Sequence, residues 1–158
     1  MDKLDYILLV DDNENDLELT ERTLNQYRLV NNIVKLRDGA EALSFLYRRG
    51  SFGTRNGGDP IVILLDIKMP RVDGLEVLRT MKSDPKLQHI PVVMLTSSRQ
   101  GPDVDECYRL GANAYVVKPV DFVQFTEAIK TIGKFWAVLN EPPAQKSVTA
   151  PSNNIAQP

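Results

Sequence analysis

Ile61-Val62-Ile63-Leu64-Leu65-Asp66 is an unbroken, β-branched apolar run that stops at an aspartate. It is too short for an ordinary helix, and its lack of alternation marks a strand buried on both faces. Upstream, Tyr6-Ile7-Leu8-Leu9-Val10 is a run of the same kind and ends in Asp11-Asp12. Ile33-Val34-Lys35-Leu36 is more broken and suits an edge strand. Downstream, Pro91-Val92-Val93-Met94-Leu95 and Ala114-Tyr115-Val116-Val117 supply a fourth and a fifth strand. Helical patterns separate the runs. Leu17, Thr20, Leu24 and Tyr27 share one helix face, and Asp38 caps a helix to about Arg48. Gly74, Val77, Leu78 and Met81 mark a third helix. Pro102 opens a fourth, followed by Val104, Cys107, Tyr108 and Gly111. Asp121 caps a last helix that runs to about Leu139. The order is therefore (βα)5. Strands separated by helices pair in parallel through right-handed crossovers. Five strands are too few for an eight-stranded barrel, so the expected fold is an α/β, doubly wound, open five-stranded sheet. Ligands bind such sheets at the carboxyl ends of the strands.

The 158 residues suffice for one domain, expected over 1–139, and 42% apolar content allows a real core. Residues 140–158 are rich in Pro, Ala, Ser, Asn and Gln and read as a disordered tail. Ser51 to Asp59, rich in glycine, reads as a flexible connector. A net charge of -2 argues against nucleic-acid binding through bulk charge. Cys107 is the single cysteine and His89 the single histidine, too few for a disulfide or a structural zinc. No apolar run is long enough to cross a membrane, and no signal peptide is evident. A reducing, cytoplasmic setting is expected.

The chemistry gathers at the strand ends. Strand one ends in Asp11-Asp12, strand three in Asp66, strand four in Thr96-Ser97 and strand five in Lys118-Pro119. In a doubly wound sheet these share one edge. An aspartate after a strand is often only the cap of the next helix. Three together are a different matter, because clustered carboxylates repel unless a cation sits among them. Mg²⁺ suits such a set, since it takes a few carboxylates plus waters and phosphate oxygens. Lys118 and Thr96 add a charge and a donor for an anion beside the metal. A carboxylate is itself a possible nucleophile, and Asp66, alone on the central strand, is the best placed.

Asp11-Asp12, Asp66, Thr96 and Lys118-Pro119, with Leu64-Leu65-Asp66-Ile67-Lys68-Met69-Pro70-Arg71-Val72-Asp73-Gly74, resemble the receiver domain of two-component response regulators. The resemblance covers about Asp5 to Lys134 and implies a flavodoxin-like sheet in the order 2-1-3-4-5. It further implies that Asp66 accepts a phosphoryl group from a sensor histidine kinase or phosphotransfer protein. Asp11, Asp12 and Asp66 would hold Mg²⁺ with the backbone carbonyl of Lys68. Thr96 and Lys118 would contact the phosphoryl oxygens, Tyr115 would be the aromatic switch, and the Lys118–Pro119 bond would be cis. The bulky Lys68 and Ser98, each two residues past a site residue, flank the path of attacking water. Enzymatic activity beyond self-phosphorylation and self-dephosphorylation is not expected. An aspartyl phosphatase would carry D-x-D after strand one, where this chain has Asp11-Asp12-Asn13. A flavin carrier would need a loop there that cradles phosphate, and this one is acidic.

Phe122, Phe125, Ile129, Ile132, Trp136 and Leu139 follow 3,4 spacing along the last helix, with Phe135 beside them. A 19-residue helix is about 28 Å long against about 17 Å for a five-residue strand, so its end is expected to overhang the sheet. These seven residues form the expected homodimer face. The ending Phe135-Trp136 to Pro143, with the long glycine loop, resembles the stand-alone response regulators that partner bacterial and cyanobacterial phytochromes. Such a protein signals by changing its surface or its dimer, or passes the phosphate onward.

Overall fold

A computed structural model describes residues 5–30 and 32–141. The expected disordered tail therefore lies almost wholly outside the described residues. Five strands form one parallel sheet in the order β2-β1-β3-β4-β5. They are β1 (Tyr6–Val10), β2 (Asn32–Leu36), β3 (Val62–Leu65), β4 (Val92–Thr96) and β5 (Ala114–Val117). The helices are α1 (Glu14–Gln26), α2 (Gly39–Leu46), α3 (Gly74–Lys82), α4 (Gly101–Leu110) and α5 (Phe122–Gly133). The continuous apolar runs are the three inner strands, β1, β3 and β4, every residue of which is buried.

Alternation along the strands divides the core into two layers. Leu8, Val10, Ile63, Leu65 and Met94 face α2, α3 and α4, where they meet Phe45, Leu78 and Met81. Ile7, Leu9, Val62, Leu64 and Val93 face α1 and α5, where they meet Leu24, Phe125 and Ile129. Asn13, Asp38, Asp73 and Asp121 each cap a helix through a side-chain oxygen that accepts a backbone N–H. The helix starts thereby stand directly behind the strand ends, at the edge that carries the chemistry.

The glycine-rich connector makes contacts that its composition does not show. Gly50–Phe52 form a 3-10 turn. The Arg48 guanidinium donates to the carbonyls of Arg55 and Gly57, at 2.6 and 2.5 Å. Arg55 donates to the Phe45 carbonyl and lies 4.0 Å over the Phe45 ring. Tyr6 donates to the Gly58 carbonyl at 2.6 Å. Arg48 thus gathers two of the loop's own carbonyls, and Arg55 ties the loop back to α2. Phe52 packs on the layer beneath α2, so the loop does not cover the end of α5.

The last helix also departs from expectation. It is α-helical only to Gly133, and Lys134–Leu139 continue as a π-helix. The wider turn breaks the 3,4 spacing. Trp136 stays half-buried against the α1/α5 layer, whereas Phe135, Val138 and Leu139 are exposed. A side chain on Gly133 would run into Leu24 and Leu29, so this helix lies close against α1. The expected dimer face needs correcting accordingly. Phe125, Ile129 and Ile132 belong to the chain's own core, because α1 and the sheet already cover that side of α5.

Candidate functional site

Four of the five strands, all but β2, deliver groups to the carboxyl edge. Asp11 follows β1, and its Oδ1 accepts the Asn13 N–H at 2.9 Å. Asp66 follows β3; its Oδ1 accepts the Ile67 N–H at 2.8 Å, which leaves Oδ2 facing the crevice. Gly74 makes room for this turn, donating its N–H to the Ile67 carbonyl at 2.7 Å. Thr96 ends β4, almost fully buried, and Lys118 follows β5. The backbone N–H of Lys118 donates to the Thr96 carbonyl, extending the β4–β5 ladder into the site.

The ammonium of Lys118 is the centre of the arrangement. It is 7% exposed and lies 2.5 Å from Asp11, 2.9 Å from Asp16 and 3.4 Å from Asp66. Burial alone would lower its pKa, but Asp11, Asp66 and Asp16 outweigh burial and raise it, so it stays protonated. One ammonium cannot neutralise all the acids around it. Burial pushes Asp11 up to about 6 even though Lys118 pulls it down, with the charge of Asp66 adding to the rise. The crevice is short of positive charge.

That shortage is what a divalent cation would relieve. Asp11, Asp12 and Asp66 each offer a carboxylate oxygen, all within 4.8 Å of one another. The donor set is all-oxygen, with Asp11 and Asp66 buried and Asp12 exposed, which suits a hard cation that keeps part of its water shell. Lys68 is exposed in the loop after β3. Tyr115 is half-buried and donates its hydroxyl to the Ser98 carbonyl at 2.9 Å, so ring and loop are tied together. Ser98 in turn donates to Asp103 at 2.5 Å, at the start of α4.

The edge thus brings together Asp11, Asp12, Asp66, Thr96 and Lys118, with Tyr115 one shell behind. The expectation of a cis Lys118–Pro119 bond is not met: among the described residues every peptide bond is trans. Trans is the favoured isomer of an X–Pro bond, by about 0.5–1 kcal/mol. Asp16 was not anticipated. An acid in the first turn of a helix is ordinarily read as a complement to the helix dipole, and nothing local shows that it meets Lys118. His89 and Cys107 stand apart from the site. His89 pairs with Asp59 at 2.6 Å, ahead of the strands rather than behind them. Burial pushes the Cys107 thiol up to about 11, which leaves it unreactive.

The 2-1-3-4-5 sheet sets carboxylates against a lysine and a threonine at its carboxyl edge, and the acidic cluster there could take a divalent cation. The chain belongs to the response regulator receiver domain family, whose model matches residues 7–130. Among curated proteins it is similar to the response regulator Rcp1 of Synechocystis sp., 37% identical over 130 residues, or 82% of this chain and 87% of that protein. The crystal structure of the phosphorylated cyanobacterial phytochrome response regulator RcpA superposes with a TM-score of 0.84 at 35% identity, covering 89% of this chain and 99% of that one. The Mn²⁺-bound form of Rcp1 gives the same TM-score, identity and coverage. The bacteriophytochrome response regulator RtBRR is 56% identical with a TM-score of 0.71, covering 89% of this chain and 84% of that one. The protein is thus a signalling receiver, and no described helix is long and apolar enough to cross a membrane.

Proposed function

We propose that this chain acts as a stand-alone phosphorylation switch, charged at Asp66 by a sensor histidine kinase of the phytochrome type. The observation that carries the proposal is the placing of Asp66 Oδ2. It faces the crevice at the end of the central strand, 3.4 Å from Lys118, with Asp11 and Asp12 alongside. The phytochrome link rests on the likeness to the phytochrome response regulator RcpA and the bacteriophytochrome response regulator RtBRR.

A carboxylate oxygen of Asp66 attacks the phosphorus of a phosphohistidine. A P–O bond forms, the P–N bond breaks, and the imidazole leaves with the electron pair and takes a proton from solvent. Mg²⁺, held by Asp11, Asp12, Asp66 and the Lys68 carbonyl, would supply charge neutralisation for the phosphoryl oxygens. Lys118 pairs with one of those oxygens, and the Thr96 hydroxyl donates to another. Thr96 moves toward the new group and vacates space. Tyr115 turns into that space, giving up the Ser98 carbonyl, and the surface of α4, β5 and α5 changes shape. Output then comes from that surface or from a homodimer through the exposed end of α5, in the cytoplasm and without nucleic acid.

Labelling with acetyl phosphate and Mg²⁺, read by intact mass, tests the site. Wild type should gain one base-labile phosphoryl group. Asp66→Asn should gain none, and chelation of Mg²⁺ or Asp12→Ala should nearly abolish labelling. A fully labelled Asn variant would refute Asp66 as acceptor.

A further inference from the structure

The ammonium of Lys118 has three hydrogens and three carboxylate partners. The partners are unequal. Asp11 and Asp16 both belong to the β1–α1 side, at 2.5 and 2.9 Å, whereas Asp66 on β3 is at 3.4 Å. The last distance exceeds the roughly 2.7–2.9 Å of a charge-assisted bond. Asp11 and Asp16 together draw the ammonium away from Asp66.

The carboxylate of Asp16 is not occupied with capping its helix. Asn13 does that, its side-chain oxygen accepting the Asp16 N–H at 3.0 Å. What the cap does is fix Asp16 in the first turn of α1, where its side chain reaches the end of β5. Asp16 is also the most exposed of the three acids, its side chain 26% accessible against 9% for Asp11 and 11% for Asp66. When one ion pair of the three has to open, this is the one whose carboxylate water resolvates at least cost.

We infer that Asp16 is a counter-ion that holds the Lys118 ammonium back from Asp66 and releases it when a phosphoryl group arrives. The inference rests on Asp66 being the phosphoacceptor. A phosphoryl group replaces one negative charge by about two and presents new acceptor oxygens next to Lys118. To reach them at full strength the ammonium closes on Asp66, and it moves away from α1 to do so. Asp16 therefore stabilises the unphosphorylated state and opposes the phosphorylated one. It acts through Lys118 and is a positioning residue.

The test is a titration of the full chain with beryllium trifluoride, a phosphoryl mimic, at saturating Mg²⁺, followed by ¹⁹F NMR. Asp16→Asn should bind the mimic roughly three- to tenfold more tightly, the range expected for one partly exposed charge pair. Asp16→Glu keeps the charge and should restore wild-type binding. Glu14→Gln removes a carboxylate from the same turn that pairs with Arg37 instead, and it should change nothing. An Asp16→Asn variant that binds like wild type, or more weakly, would overturn the inference while leaving Asp66 as acceptor. An equal gain in Glu14→Gln would overturn it too, by showing bulk charge alone at work. If wild type binds no beryllium trifluoride, the assignment of Asp66 falls and this inference with it.

Discussion

Replacing Gly74 by alanine tests how the phosphoacceptor turn is built. A Cβ at Gly74 would lie 2.0 Å from the Asp66 carbonyl oxygen and 2.9 Å from both the Asp66 carbonyl carbon and the Ile67 Cα. All three are backbone atoms, so no side chain can swing aside. The first turn of α3 must retreat from β3 by more than about 1 Å, which strains or breaks the Gly74 N–H bond to the Ile67 carbonyl. Overpacking of this kind costs about 1–3 kcal/mol. The lost hydrogen bond adds about 1 kcal/mol. Alanine's higher helix propensity returns about 1 kcal/mol. The net destabilisation is about 2 kcal/mol, a fall in Tm of about 4–8 °C for a chain of this size. Thermal unfolding by circular dichroism reads it directly. Gly101→Ala is the control. Gly101 also opens a helix, but nothing lies within 4 Å of its would-be Cβ, so the change should be neutral or slightly stabilising. Acetyl phosphate labelling of Gly74→Ala should also slow, since the displaced atoms are those of Asp66 itself. A Gly74→Ala protein that melts within a degree of wild type would refute this account of the turn.

Two further outcomes follow from the site's surroundings. Phe135 and Leu139, 47% and 65% exposed, are two of the outward apolar residues of the π-helix, so Phe135→Ala with Leu139→Ala should shift a dimer toward monomer in sedimentation without altering the melt. Wild type that sediments as a monomer at all concentrations, phosphorylated or not, would remove the homodimer. The second outcome concerns acid stability. Burial alone would raise the Asp38 carboxyl, but the Glu41 N–H and the Arg71 guanidinium hold it below its ordinary value. A depressed folded-state pKa stabilises the fold above the ordinary carboxylate range, and the contribution is lost as pH falls through the lowered value. Asp38→Asn keeps the cap but drops the charge. It should cost less than about 1 kcal/mol near neutral pH. In denaturant melts the difference from wild type should vanish in strong acid, and a difference that persists there would show that packing, not charge, is at stake.

Sequence and structure divide the protein along a physical line. The strands were legible because a buried parallel strand must be apolar on both faces, and runs such as Ile61–Leu65 have no other economical use. The helices were legible from their caps and from one apolar face each. Once the order was (βα)5, right-handed crossovers put Asp11, Asp12, Asp66, Thr96 and Lys118 at one edge without any coordinates. Other features depend on what lies across space. Phe125, Ile129 and Ile132 are apolar at helical spacing whether a second copy or α1 covers them, and only packing shows that α1 does. The glycine loop looked free because composition does not record the contacts that hold it, those of its own Arg55, of the adjoining Arg48 and of the distant Tyr6. Asp16 and Lys118 are 102 positions apart, and no local pattern links an acid in a first helical turn to a lysine after the last strand. Periodicity reports which side of an element is apolar and where its ends fall. What that side meets, and how charges are shared among groups brought in from several strands, is set only when the chain closes on itself.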